Sequence, residues 1–193
     1  MQTLILDGIW GNHLRWEGLR KRVSDAIGPC EIWHYRNSGL RDIEALAGDL
    51  IEKTRKFSEP IALIGYSLGG IVIREAVRQA PDLPLSAAAF LHSPHKGSIA
   101  SWALPLPACR QLRPGSPFLR RLQESPWTAP VLATWCPYDL MVCPGSSAAW
   151  PRAQKVIRSD IPAHAWPIIS GGIHAEIVKF LRDCKASRSI SST

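Results

Sequence analysis

No apolar run in the chain approaches the roughly 18 residues that a membrane-crossing helix needs. The first residues, "MQTLILDG", carry no basic stretch ahead of an apolar one and no small-residue cleavage site. They read as a strand that begins at once, so no secretion signal is expected and the location expected is cytoplasmic. Cysteine is sparse: five residues, an odd number, with no paired CxxC spacing. This composition predicts free thiols in a reducing compartment rather than a disulfide framework. Neither zinc-ligand spacing nor an aromatic RNA-binding motif accompanies the net charge of +7. The basic residues instead fall in small groups, Arg20–Arg22, Lys53–Lys56 and Arg120–Arg121, within helix-like stretches. Such groups read as solvated faces, so no nucleic-acid partner is expected. Contact with an anionic lipid surface stays open as a peripheral interaction. No internal repeat is visible.

What the chain does have is a regular alternation. Six short apolar runs, 3–8, 30–35, 61–66, 87–92, 131–136 and 155–161, read as strands. Most are nearly continuous in apolar character, which suits strands covered on both faces of a parallel sheet. Between them, Ile43, Leu46, Ala47, Leu50 and Ile51 recur at helical spacing, as do Ile71, Val72 and Ala76. Ile173, Ile177, Phe180, Leu181 and Cys184 mark a closing helix. The pattern predicts one α/β domain over residues 1–184, with a mostly parallel, doubly wound sheet. The polar stretch 185–193 is expected to fray. Residues 93–129 break the rhythm with six prolines interleaved with Trp102, Leu104, Leu106, Phe118 and Trp127. That segment is too apolar for a linker and predicts a loop-like lid or an acyl-binding wall. Within it, Ser116 and Pro117 are expected to open a short helix as N-cap and first residue.

The third apolar run ends in Gly65-Tyr66-Ser67-Leu68-Gly69, a G-x-S-x-G at a junction of strand and helix. In that context the pattern describes a nucleophile on a strained turn, with small neighbours that avoid collisions. The hydroxyl then stands at a helix N-terminus, where N–H groups favour negative charge. The chain order expected is serine, acid, histidine. Asp139, just past the fifth strand in "CPYDLMVCP", is the candidate acid. His13, His34, His92 and His95 all precede it, which leaves His164 and His174. His164 lies on the loop after the last strand and is favoured as base, whereas His174 falls on the closing helix. Leu68 N–H and a donor from the "DGIWGNH" loop would form the anion site, Ile9 N–H first and Trp10 N–H as its alternative. Trp10, Trp102 and Leu104 are the candidate substrate-binding side chains.

"DGIWG", "GYSLGG", "HSPHKGS", "LRPGSPFLRRL", "PYDLMVCPGSSAAWP" and "IPAHAWPIISGGIHAEIVKFL" together resemble the small bacterial lipases and esterases of the α/β-hydrolase superfamily. The resemblance runs through nearly the whole chain. It implies the α/β-hydrolase fold, with Ser67 as nucleophile, Asp139 as acid and Ile9 with Leu68 as oxyanion donors. It also implies His164 as base, through its distance of 17 residues from Leu181 in the closing helix. Asp7 stands where the family usually has histidine, and Ala163 where it has glycine before the catalytic histidine. A carboxylate at Asp7 would weaken an anion site unless it is paired or turned away.

The reading that follows is a serine hydrolase acting on small-molecule or lipid carboxylic esters, with no cofactor and no metal. A thioesterase or acyltransferase with the same triad is a second reading. A non-catalytic binding protein of the same fold, motivated by Asp7, is a third.

Overall fold

A computed structural model describes residues 1–191. The chain runs β1 (Gln2–Leu6), α1 (Glu17–Ala26), β2 (Cys30–Ile32), α2 (Ile43–Thr54), β3 (Ile61–Tyr66), α3 (Leu68–Gln79) and β4 (Leu85–Leu91). It continues through α4 (Pro107–Gln111), α5 (Pro117–Glu124), β5 (Val131–Trp135), β6 (Lys155–Arg158), α6 (Trp166–Ile169) and α7 (Gly171–Ser191). Short 3₁₀ turns cover His13–Trp16, Ile99–Ala103 and Gly145–Ala148.

The six strands form one sheet in the order β2-β1-β3-β4-β5-β6. Every neighbouring pair is parallel. Alternation along each strand divides the core in two. Leu4, Leu6, Leu63, Phe90, Val131 and Ala133 pack toward α2, α3 and the 93–129 segment. Ile5, Ala62, Ile64, Ala89, Leu91 and Leu132 pack toward α1 and α7, with Trp16, Leu19, Ile177 and Leu181. Both faces are therefore dry, which explains why the strands read as unbroken apolar runs.

Two strands are shorter than their sequence runs. β2 stops at Ile32, because after Trp33 N–H bonds Ile5 O (2.9 Å) the chain turns to pin the loop beyond β1. There Tyr35 Oη donates to Asp7 O. β6 stops at Arg158, where Ser159 Oγ accepts from Ile161 N–H (3.2 Å) and curls the chain. The closing helix is longer than expected. The stretch anticipated to fray is helical as far as Ser191, and 192–193 lie outside the described residues. Lys185 Nζ donates to Ile27 O (2.7 Å) and Arg188 to Ser86 Oγ (2.7 Å), fastening that turn to the body. In the 93–129 segment, α5 begins with Ser116 Oγ accepting from Leu119 N–H (3.2 Å) and Pro117 in the first turn.

Candidate active site

The β3–α3 junction turns through Ser67 at φ 51° and ψ −119°. A side chain with a positive φ is strained by about 1–3 kcal/mol and needs its surroundings to hold it. Here Ser67 N–H bonds Leu91 O (2.9 Å) and α3 starts at the next residue. Space explains the glycines. A Cβ on Gly69 would come within 2.4 Å of Leu6 O, and one on Gly8 within 2.9 Å of Ser67 Cβ. The loops after β1 and β3 can meet only because both positions lack a side chain.

The loop after β1 is held from outside. Trp10 N–H donates to Asn37 O (3.0 Å) and Asn37 Nδ2 donates to Gly8 O (2.7 Å). Trp10 N–H is thereby committed, and Trp10 itself sits at φ 54°. Ile9 N–H has no partner among the described residues. Leu68 N–H, first in α3, lies ahead of the helix's own bonds. Asp7 is buried and lines a small pocket with Trp33, His34 and Tyr35 rather than the cavity that holds Ser67. Its Oδ2 accepts from Arg15 Nε (2.9 Å) and its Oδ1 from Gly8 N–H (2.7 Å), so a guanidinium compensates the carboxylate.

Asp139 follows β5. Its Oδ1 accepts from Met141 N–H (2.9 Å) and Val142 N–H (3.0 Å), the side chain closing its own turn. Its Oδ2 lies 2.7 Å from His164 Nδ1. Burial pushes the Asp139 carboxyl upward, but the hydrogen bond from His164, the nearby His92 and the Val142 N–H outweigh it and hold the group well below the usual carboxylate range. A carboxylate can only accept here, so His164 carries its proton on Nδ1, and Nε2 is left with a lone pair.

Ser67 and His164 line one cavity of ≈ 170 Å³, together with Ile9, Leu104, Leu112 and Val142. Trp10 is on its rim, 63% exposed. Trp102 does not line it. The ring is 61% exposed, and Arg113 lies over its face at 4.1 Å from the centroid, so a cation on the outer surface occupies it. Leu104, from the same segment, does reach the cavity. His174 is elsewhere: its Nε2 lies 3.1 Å from Pro167 O, and burial lowers its pKa. A larger groove of ≈ 460 Å³ opens at the amino ends of β4 and β5 and holds none of these residues.

Two residues escaped the sequence reading. His92, at φ 48° just past β4, is buried with its Nδ1 3.2 Å from Asp139 Oδ2. That contact is close but poorly aligned for a hydrogen bond. Chain order removed His92 as a base, yet its place at the carboxyl end of a central strand was the available signal. Donor atoms of His92, Asp139 and His164 lie within 4.8 Å of one another, so these are the described side chains that could surround a cation. Ser98 joins the 93–129 segment to the acid's loop, donating to Met141 O (2.8 Å) and accepting from Cys143 N–H (2.9 Å).

No family model matches the sequence, and no curated protein matches it. Solved structures do match. A monoacylglycerol lipase from Paleococcus ferrophilus superposes with a TM-score of 0.74 at 14% identity, covering 95% of this chain and 94% of that one. A Bacillus licheniformis lipase gives 0.70 at 16% identity, with 94% and 91% covered. The chain has the α/β-hydrolase fold. Against the larger Aspergillus fumigatus lipase B (TM-score 0.65, 13% identity), 82% of this hydrolase-fold chain spans only 42% of that protein. No described helix of the chain is long and apolar enough to cross a membrane.

Proposed function

We propose that the protein is a serine hydrolase that cleaves carboxylic esters of small molecules or lipids through an acyl-enzyme. The observation that carries this reading is His164, whose Nδ1 is held 2.7 Å from Asp139 while the residue lines the same cavity as Ser67. In the proposed reaction His164 Nε2 takes the Ser67 proton as Oγ attacks the ester carbonyl. Asp139, held ionised, keeps the imidazole in the required tautomer and stabilises the imidazolium. Ile9 N–H and Leu68 N–H receive the developing oxyanion, an interaction worth several kcal/mol when preorganised. The tetrahedral intermediate collapses, His164 protonates the departing alkoxide, and the alcohol leaves. Water then adds to the acyl-enzyme, giving its proton to His164, and the acid is released as Ser67 regains a proton.

Asp7 does not favour a non-catalytic reading, because Arg15 compensates its charge. The cavity volume supports short acyl groups, since sites for drug-sized ligands span roughly 300–1,000 Å³. Ile9, Leu104, Leu112 and Val142 give this cavity an apolar lining.

A fluorophosphonate probe and a series of nitrophenyl esters test the reading. Covalent labelling at Ser67 and turnover that favours short chains are expected. A folded protein that neither labels nor turns over any ester would overturn it. Matching acyl thioesters in the same assay separate an esterase from a thioesterase.

A further inference from the structure

A further cavity of ≈ 180 Å³, close in volume to the one at Ser67, lies beside α3, walled by Arg74, His95, Lys96, Gln123, Trp150 and Arg152. It shares no lining residue with the Ser67 cavity. Arg74 projects from α3 about two turns beyond Ser67. The residue is only 4% exposed, yet it has no carboxylate partner among the described residues. Its Nη2 donates to Leu122 O (2.7 Å) and its Nη1 faces His95 Nδ1 and His95 O, each at 3.4 Å. Among the described residues Arg152 is likewise bonded only to carbonyls, those of Ser125 (2.6 Å) and Gln123 (3.1 Å). Lys96, on the rim, is exposed and forms no ion pair among the described residues.

Burying a guanidinium against carbonyls alone leaves its charge uncompensated, a costly arrangement unless an anion completes it. Burial, and then the charge on Arg152, lower the Arg74 pKa to about 10, so Arg74 is still a cation at neutral pH. His95 holds Arg74 in place without adding a charge. Arginine can only donate, so His95 Nδ1 faces it as an acceptor and the ring proton resides on Nε2. That Nε2 is buried and has no hydrogen-bond partner among the described residues. Burial, and then Arg74, hold the His95 pKa well below its ordinary value, which keeps the ring neutral with this single donor. The rings are fixed: His95 stacks on Trp150 at 5.4 Å, and Arg74 lies over the same indole at 5.2 Å. The cavity is thus a preorganised set of donors, two of them guanidinium forks, with no acidic side chain in its wall.

We propose that this cavity is a binding site for a phosphate group, either free phosphate or the headgroup of a phosphate monoester. Two arginines and a lysine match a dianion, and guanidinium forks suit its oxygens. The proposal does not depend on the ester-hydrolase reading, because none of its residues belongs to that site.

Calorimetric titration of the whole protein at constant ionic strength tests it, with inorganic phosphate and glycerol 3-phosphate as separate ligands. Saturable binding of at least one is expected, and the tighter of the two identifies the source. Arg152→Gln and Lys96→Gln alter exposed side chains and leave the fold intact. Each is expected to weaken binding about tenfold, as the loss of a charge-assisted contact implies. Arg74→Met should abolish binding where the variant folds. The proposal is overturned if neither phosphate saturates, if acetate binds as tightly, or if both surface variants bind as the parent does.

Discussion

The left-handed backbone at Ser67 stores strain that the hydroxyl itself does not relieve. Ser67→Ala is expected to abolish ester hydrolysis with an unchanged far-UV spectrum and a melting temperature that is equal or slightly higher. Retained activity in the purified variant would remove Ser67 from the mechanism. His164→Ala should lower kcat by about three orders of magnitude or more, since proton transfer and nucleophile activation fail together. His174→Ala should leave kcat near the parent value and lower the melting temperature, because its ring packs against the turn at Pro167. Asp139 supplies a pH test. Its folded pKa is depressed, so it contributes stability that is fully present above the ordinary carboxylate value of about 3.9 and is lost as the pH falls below it. Chemical denaturation of the parent and Asp139→Asn should therefore show a constant stability difference from pH 8 to about 5, narrowing below about 4. A difference that narrows already between pH 7 and 5 would refute the depressed value. Asp7 and Arg15 make a coupled pair. Arg15→Ala leaves a buried carboxylate uncompensated two residues before Ile9, a proposed oxyanion donor, and should reduce kcat about five- to tenfold, as a coupling near 1 kcal/mol implies. Asp7→Asn added to it should restore most of the loss, whereas independent, additive effects would show that charge compensation is not the role of Arg15.

At the scale of elements, the 93–129 segment is both wall and brace. Leu104 meets the cavity, while Ser98 ties the segment to the loop that carries Asp139. Leu104→Ala should raise KM more for longer acyl esters than for acetyl esters, at about 0.8 kcal/mol per lost CH₂ contact. Trp102→Ala should leave that ratio unchanged, and a chain-length-dependent effect would return Trp102 to the substrate. Much of this layer was readable in advance. Continuous apolar strands announce a sheet buried on both faces, and Ser116-Pro117 announces α5 through ordinary capping chemistry. G-x-S-x-G marks the turn because the steric exclusion at Gly65, against Gly69 and Gly70, is local to the sequence. Facing direction is not local. Trp102 reads as a substrate-binding side chain by its type and segment, but its ring is exposed outside the cavity with Arg113 over one face. His92 meets Asp139 only through the register of β4 against β5, which no spacing in the chain encodes. Lys185 and Arg188 anchor the last turns to groups more than 100 positions earlier, so a polar tail gave no sign of them.

For the molecule as a whole, the sheet has one side on which every strand ends, and the site is distributed along it. The loops after β1, β3, β5 and β6 each contribute a residue, and α7 then closes the second core against α1. Ile177, fully buried among Trp16, Leu19 and Ile168, shows how much rests on that closure. Ile177→Ala should cost about 2–5 kcal/mol in denaturant unfolding without altering the chemistry of the folded fraction. The all-parallel arrangement also has a kinetic consequence. Parallel neighbours cannot be joined by hairpins, so each pairing closes a long stretch of chain and folding is slowed by its contact order. Ser67 and His164 lie in different βα units, and the base arrives only when the final unit docks. A nascent or refolding chain can therefore form its elbow early and still be inert. Under the proposed function, regain of fluorophosphonate reactivity should coincide with the last tertiary phase of refolding, which would make the protein a reporter of its own completion.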